Sequence, residues 1–369
     1  MRLIQFTAAD GWRGHEQKII YLAEAFRDLG LVEDQWIICR NDSIMKKVAT
    51  EKGLNVLAYD FKSEYDLKFA KKLKQISTEV QADIIFIHSS KAHTIAVLSS
   101  MFYQLKQPLV LCRTLVEKVD TNFFRKWKYN YHGIKKIICL TQAVVDVLST
   151  AIKDHSRFSI VGPITDLKKF TKKAKNGSLH KEFNIPNDYS IIGNIAAFVP
   201  VKDHITWINT VEELHKRGLK AKYILIGEGP TENEMKELVK SKGLEDEIIF
   251  AGFRTDIPQM LPEFDMLLFT SNNEAAGGVI LEAYACKVPV VATNAAGIPE
   301  ILEDHKTGLL AATGDHIDFA MKTEYLLSNK ELQAKLTENG YDYLIQNFTK
   351  EVVAKKMFEE LNNVLVNSN

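Results

Sequence analysis

The chain has 369 residues, more than one hydrophobic core usually serves, so two domains are expected. Hydrophobic residues make up 46% and charged residues 25%, which is typical of an ordinary globular protein, and no apolar run approaches the roughly 20 residues that span a bilayer. The 47 basic and 47 acidic residues cancel overall, although residues 1–170 hold 26 Lys and Arg against 18 Asp and Glu.

Short apolar runs alternate with helical patterns along the chain, which favours a parallel α/β fold. In the first half, the predicted strands are 3–7, 36–39, 84–88, 109–112, 136–140 and 158–161. In the second half, they are 191–197, 223–227, 248–252, 266–270, 288–292 and 308–311.

A polar, lysine-rich segment at 164–180 separates the two sets of strands and marks the domain boundary. We therefore predict two doubly wound, Rossmann-like domains, at 1–170 and 171–349. The amphipathic C-terminal helix within 350–369 is predicted to pack back on the first domain. Two such domains would place a ligand in a cleft between them, at the carboxyl ends of their strands.

The four cysteines are scattered and lie mostly in apolar runs: Cys39, Cys112, Cys139 and Cys286. Buried free thiols in a reducing cytosol explain this pattern better than disulfides or a metal site. We therefore expect a cytoplasmic protein.

The segment from Glu274 to Glu282 places two carboxylates eight positions apart around Gly277-Gly278. A helix starting at Val279 would aim its first N–H groups at a phosphate. In such a site Glu274 could accept hydrogen bonds from sugar hydroxyls, and Glu282 from a ribose. By spacing alone, ordinary surface roles for both carboxylates remain open.

The wider segment resembles the donor-site signature of the retaining GT-B glycosyltransferases of family four. The matching pieces are Ser271-x-x-Glu274, Pro289-Val-Val-Ala-Thr293, Gly297-Ile-Pro-Glu300 and Thr307-Gly-Leu-Leu310. The likeness covers nearly all of residues 155–369 and is looser before them.

This resemblance implies a GT-B fold and transfer of a sugar, with retention of configuration, from a nucleoside-diphosphate sugar to a glycan or glycolipid. It suggests a role in cell-surface polysaccharide or lipopolysaccharide biosynthesis. We find no Asp-x-Asp motif, so we expect neither a metal nor another cofactor. Two alternatives stay open: a nucleotide-sugar epimerase of the same fold, and a non-catalytic partner that binds a donor or glycan.

By position, the resemblance implies that Lys202 contacts the donor diphosphate, where a fixed cation would stabilise the charge that develops on the leaving group. The family arginine five residues earlier is replaced by Ala197. Arg13 and Arg254 are candidates for the second cation. Gly229 lies in a Gly-x-Gly-Pro turn, which is placed either near the nucleotide base or in a purely structural role.

In the first domain, Gly14 fits the family's glycine loop, and His88 matches a family histidine at a strand end facing the cleft. A structural role for His88 remains open. A further family histidine is missing near Thr114, where Arg113 could do related work or bind an anionic acceptor.

The stretch 123–131 interleaves aromatic and basic residues. This composition suits docking of a lipid or sugar acceptor, single-stranded nucleic acid, or an amphipathic helix with its aromatics in the core. No companion motif supports nucleic acid, so we expect none as a partner. Together with the basic first half, the stretch predicts peripheral contact with an anionic membrane, at its inner face. Two oppositely charged domains that attract each other are the alternative.

Overall fold

The computed structural model describes residues 1–9, 11–12, 14–117 and 123–367. The chain divides into two units, one formed by Met1–Ile164 with Thr349–Asn369 and the other by Thr165–Phe348. Residues 165–170, which the sequence placed in the first domain, therefore belong to the second unit. Phe170 is buried in the core of that unit, and the Thr165 N–H donates to the Phe348 carbonyl at 2.9 Å.

The first unit is built on a seven-stranded parallel sheet. Its strands are β1 Arg2–Phe6, β2 Asp34–Arg40, β3 Val56–Tyr59, β4 Ile84–Ile87, β5 Leu109–Arg113, β6 Ile134–Cys139 and β7 Phe158–Ile160. Their order in the sheet is β3-β2-β1-β4-β5-β6-β7. The helices between them are α1 Gly14–Asp28, α2 Ile44–Glu51, α3 Leu67–Glu79, α4 Ser90–Tyr103, α5 Phe123–Tyr129 and α6 Gln142–Ser149.

The second unit is built on a six-stranded parallel sheet, ordered β10-β9-β8-β11-β12-β13. Its strands are β8 Ser190–Ile195, β9 Ala221–Ile226, β10 Ile248–Phe250, β11 Met266–Phe269, β12 Val290–Thr293 and β13 Leu309–Ala311. Its helices are α7 Ser178–Glu182, α8 His204–Lys216, α9 Glu232–Ser241, α10 Ile257–Met260, α11 Gly278–Ala285, α12 His316–Ser328 and α13 Lys330–Asn347.

The apolar runs form strands because both faces of each sheet are covered. In β11, Leu267 and Phe269 enter one core of the second unit, while Met266 and Leu268 enter the core on the other face. Because successive side chains of a strand point to opposite faces, one strand contributes to both cores. The predicted α/β fold with two parallel, Rossmann-like sheets is confirmed.

The last helix, α14 Lys350–Val366, belongs to the first unit. Its residues Val353, Met357 and Leu361 are buried in the same core as Phe26 of α1 and Phe86 of β4. The chain therefore returns to its first sheet after completing the second.

Candidate functional site

The strand order of the second unit creates a crevice between β8 and β11. From β8 the chain proceeds outward through β9 to β10, and from β11 it proceeds in the other direction through β12 to β13. The loops that follow β8 and β11 therefore diverge at the carboxyl edge of the sheet, the position where open α/β sheets bind ligands. Lys202 follows β8, and Glu274 follows β11.

Hydrogen bonds hold these two loops together. The buried Thr270 hydroxyl donates to the Asp203 carbonyl at 3.0 Å, and the buried Ser271 hydroxyl donates to the Val201 carbonyl at 2.9 Å. The Asn272 N–H donates to the same Val201 carbonyl at 3.0 Å. The Val201–Asp203 segment is thereby fixed beside the start of the loop that carries Glu274.

Lys202 and Glu274 form an ion pair at the mouth of this crevice. The Lys202 ammonium donates to a Glu274 carboxylate oxygen, and the two side chains are only 20% and 21% exposed. The same ammonium lies 5.5 Å from the centroid of the Phe269 ring. The structure thus brings together two of the residues that the sequence placed in the site.

His204, two residues after Lys202, is buried. Its ring stacks on Phe198 with centroids 4.4 Å apart. Burial, with a smaller contribution from Lys202, lowers the pKa of His204 from its ordinary 6.5 to about 4. The imidazole is therefore neutral near pH 7, and the positive charge at this place belongs to Lys202.

Helix α11 points its amino end into the same loop region. Its N-cap residue, Gly277, has φ +50 and supplies no side-chain cap, and a Cβ there would lie 2.8 Å from the Ile298 side chain. The early N–H groups of Gly278 and Val279 and the helix dipole are thus arranged for an anion. Glu282, half-buried, lies one turn into the helix.

The glycine turn after β9 packs against the loop after β8. A Cβ at Gly229 would lie 2.4 Å from the Phe198 carbonyl oxygen, and one at Gly227 would lie 2.1 Å from the Ala196 oxygen. Close backbone packing is therefore a sufficient reason for glycine at both positions, in line with the structural alternative for this turn.

Arg254 already has two carboxylate partners. Its guanidinium pairs with Asp256 at 2.6 Å and with Glu182. Both hydrogen bonds raise the pKa of Arg254, and the bond to Asp256 has the larger effect. Ala197 is exposed. The other candidate cation, Arg13, lies outside the described residues.

In the first unit, His88 is a buried residue rather than an exposed one. The residue is 6% exposed, and its Nε2 lies 3.1 Å from the Gln5 Oε1. Its carbonyl accepts from the Nε2 of His15 at 2.8 Å. Burial, and secondarily His15, keep the pKa of His88 well below its ordinary value. These contacts favour the structural alternative for this histidine.

Gly14 starts α1, directly before His15 in the chain. A Cβ at Gly14 would meet no described atom within 4 Å. The packing of the first unit therefore does not require glycine here, and space remains for a ligand.

Two cations lie around Tyr129, and the sequence alone did not show that they come together there. The Arg113 guanidinium and the Lys128 ammonium lie 5.6 and 5.9 Å from the centroid of this buried ring. Lys128 is 4% exposed and donates to the Thr94 hydroxyl at 2.9 Å. Burial lowers the pKa of Lys128 to about 8, although nearby Glu64 opposes the shift.

The stretch 123–131 thus divides its residues between solvent and core. Phe123 is 86% exposed, whereas Tyr129 is 4% exposed. The sequence could show this mixture of residues, but only the packing of α5 shows which of them are buried.

Comparisons with known proteins identify the second unit. Residues 175–343 match the family described as glycosyl transferases group 1. This unit is therefore similar to the domain shared by that family. The match includes Lys202, Glu274, Gly277 and Glu282, so these four predicted site residues lie within the part of the chain that carries the family pattern.

Relatives extend the likeness beyond that domain. The N-acetyl-alpha-D-glucosaminyl L-malate synthase of Bacillus anthracis is 24% identical over 79% of this chain and 77% of its own length. The capsular polysaccharide biosynthesis glycosyltransferase CapM of Staphylococcus aureus is 20% identical over 95% of this chain and 98% of its own. The crystal structure of Anabaena HepE in complex with UDP and glucose has a TM-score of 0.85 and 21% identity, covering 98% of this chain and 100% of that one. The structural likeness shows the GT-B fold, the relatives support a glycosyltransferase, and neither the epimerase nor the non-catalytic alternative is favoured.

Two further properties of the chain concern metals and membranes. Among the residues that the structure describes, no three His, Cys, Asp or Glu side chains are grouped so that they could hold a metal ion. Within the same residues, no helix combines the length and apolarity needed to cross a bilayer.

Proposed function

We propose that this glycosyltransferase moves a sugar from a nucleoside-diphosphate sugar to a hydroxyl group of a glycan or glycolipid, with retention of the anomeric configuration. The observation that carries the proposal is the Lys202–Glu274 pair at the β8/β11 crevice, beside the amino end of α11. One cation, one carboxylate and a set of helix N–H groups suit a ligand that joins a diphosphate to a sugar.

The bound donor would replace Glu274 as the partner of Lys202. In the structure, Glu274 neutralises Lys202. When the diphosphate binds, its oxygens compete for the ammonium and release the Glu274 carboxylate, which can then accept hydrogen bonds from sugar hydroxyls. The site therefore keeps its cation neutralised until the anionic substrate arrives, which limits the cost of a partly buried charge.

The chemical step would proceed by departure of the nucleotide. The bond between the anomeric carbon and the diphosphate oxygen breaks, and its electron pair stays on that oxygen. The acceptor oxygen forms the new bond on the same face of the sugar, and its proton passes to a phosphate oxygen. Lys202 and the Gly277–Val279 amides stabilise the negative charge on the leaving group, so no metal ion or other cofactor is part of the proposal.

The remaining predicted residues take supporting roles. Glu282 would accept hydrogen bonds from the ribose, and Gly229 would lie beside the base. A role for Gly14 and Arg13 in binding the donor phosphates stays a prediction from the family resemblance, and Arg13 lies outside the described residues. Arg254 would act indirectly, because Asp256 and Glu182 already engage it. His88 would position His15 through its carbonyl rather than touch the sugar.

UDP is the nucleotide to test first, since the similar HepE structure holds UDP and glucose. A polysaccharide or lipid-linked acceptor is supported by the likeness to CapM. We place the reaction in the cytoplasm, peripherally at the inner membrane face. The free thiols of the chain and the basic character of its first half support this location.

Thermal-shift measurements with UDP, GDP, ADP and CMP sugars test the donor. A ligand that binds the native state raises the melting temperature according to its concentration and Kd. We expect one nucleotide class to raise it, and Glu282→Ala to reduce that shift. Nucleotide release that depends on an added glycan, with the product configuration read by NMR, then tests transfer and retention. Donor binding without release in every acceptor extract would instead support a binding protein.

A further inference from the structure

A cavity lies in the first unit, at the edge of the sheet opposite to His88 and Arg113. It has a volume of about 700 Å³ and lies at the amino ends of β6 and β7, whereas His88 and Arg113 lie at the carboxyl ends of β4 and β5. Four of its lining residues are basic: Lys135, Lys136, Lys153 and Arg157. None of the roles proposed for the transferase reaction uses this edge.

Hydrogen bonds fix the walls of the cavity. The Asn130 amide nitrogen donates to the Ala151 carbonyl at 2.9 Å, and its oxygen accepts from the Lys153 N–H at 2.9 Å. Arg157, whose side chain is only 11% exposed, donates from Nη1 to the Ile134 carbonyl at 3.2 Å. Its guanidinium is therefore held in place before any ligand arrives.

The positive charge of the cavity is only partly neutralised. Lys136 pairs with Glu360 at 3.1 Å, and the Arg157 Nε lies 3.7 Å from an Asp154 oxygen. Asp154 itself accepts from the N–H and hydroxyl of Ser156 at 3.1 and 2.6 Å. Lys135 and Lys153 are exposed, and neither forms an ion pair with a described residue.

We propose that this cavity binds a phosphate-bearing group, as the headgroup of an anionic lipid or as a soluble phosphoester. Lysine ammonium groups and an anchored guanidinium are the side chains that bind phosphate oxygens best. The cavity is much larger than one phosphate, so it has room for the polar group attached to it. The side-chain amides of Asn363 and Asn367, at the end of α14, line the same cavity and offer further donors.

The test uses the full chain and the double variant Lys135→Gln/Lys153→Gln. The matched control is Lys68→Gln/Lys71→Gln, which removes two lysines from α3 of the same unit. Calorimetry with glycerol 3-phosphate measures the soluble source. Flotation with phosphatidylcholine vesicles, with and without phosphatidylglycerol, measures the lipid source. The melting temperatures of all three proteins check folding.

We expect the wild type and the control to bind at least one of these probes, and the double variant to bind it about tenfold more weakly or not at all. Loss in the calorimetry identifies a soluble phosphoester, and loss in the phosphatidylglycerol arm identifies a lipid headgroup. Absence of binding to both probes by the wild type would overturn the proposal. Equal binding by the two double variants would also overturn it, because the lysines of the cavity would then contribute no more to binding than other surface lysines do.

Discussion

Replacing Lys202 by methionine removes the cation of the site and keeps its apolar stem. The stem can still pack over Phe269, which the ammonium now approaches to 5.5 Å. Glu274 loses its ion-pair partner, but both side chains are about one-fifth exposed, so the effect on the free energy of unfolding should be about 1 kcal/mol or less.

The effect on catalysis should be much larger than the effect on folding. A fixed charge that acts on a developing anion typically contributes a factor of about 10²–10³ in kcat, equivalent to about 2.7–4 kcal/mol. We therefore expect kcat to fall by this factor in Lys202→Met, with a smaller change in KM, because the charge on the leaving group grows as the bond breaks.

The matched control is Lys236→Met in the same unit. Lys236 also pairs with a glutamate, Glu232, at 2.7 Å, and also lies 5.5 Å from a phenylalanine ring, that of Phe250. Nucleotide release with a saturating donor and an acceptor gives kcat, and urea unfolding gives stability. If both variants retained the wild-type kcat, Lys202 would have no part in leaving-group departure.

Three further predictions concern stability, each measured by urea unfolding. Gly193→Ala would place a Cβ 1.9 Å from the Phe264 ring and should lower the free energy of unfolding by about 1–3 kcal/mol or more. Adding Phe264→Leu to this variant should restore part of the lost stability. An unchanged unfolding midpoint in Gly193→Ala would contradict the packing of β8. Lys287 has φ +54, pairs with Glu338 and lies 4.6 Å from the Tyr341 ring centroid. Lys287→Ala and Lys287→Gly both lose these contacts, but only glycine relieves the backbone strain. The glycine variant should therefore be more stable than the alanine variant by about 1 kcal/mol. A more stable alanine variant would refute the strain. Because the pKa of His204 is about 4 when folded and 6.5 ordinarily, the unfolded state binds more protons between these values, and stability should fall as the pH falls from 6.5 to 4. His204→Phe should reduce this loss by up to about 3 kcal/mol, and an identical pH slope in both proteins would exclude the assignment.

The strands of both sheets could be predicted because most are short, apolar and buried on both faces. The exception is Val56–Tyr59, a strand at the edge of the first sheet whose four residues are only partly buried. Its weaker burial leaves a weaker sequence pattern. The boundary between the units was placed six residues late, since the burial of Phe170 depends on a core assembled from distant segments.

The residue types of the donor site were accessible to sequence reasoning, but their contacts were not. Lys202 and Glu274 are 72 positions apart, and their pairing depends on the hydrogen bonds that Thr270 and Ser271 make to the loop after β8. Similarly, nothing local in the sequence shows that His88 is buried against Gln5 or that Lys128 is held by Thr94. These are consequences of strand order, which brings residues distant in the chain to neighbouring positions.

Hydrogen exchange with and without UDP tests the location of the donor most directly. We predict slower exchange in the segments 197–203 and 271–282 of the second unit, which follow β8 and β11, when UDP is added. Unchanged exchange in both segments, with UDP protecting some other part of the chain, would contradict a donor site at this crevice.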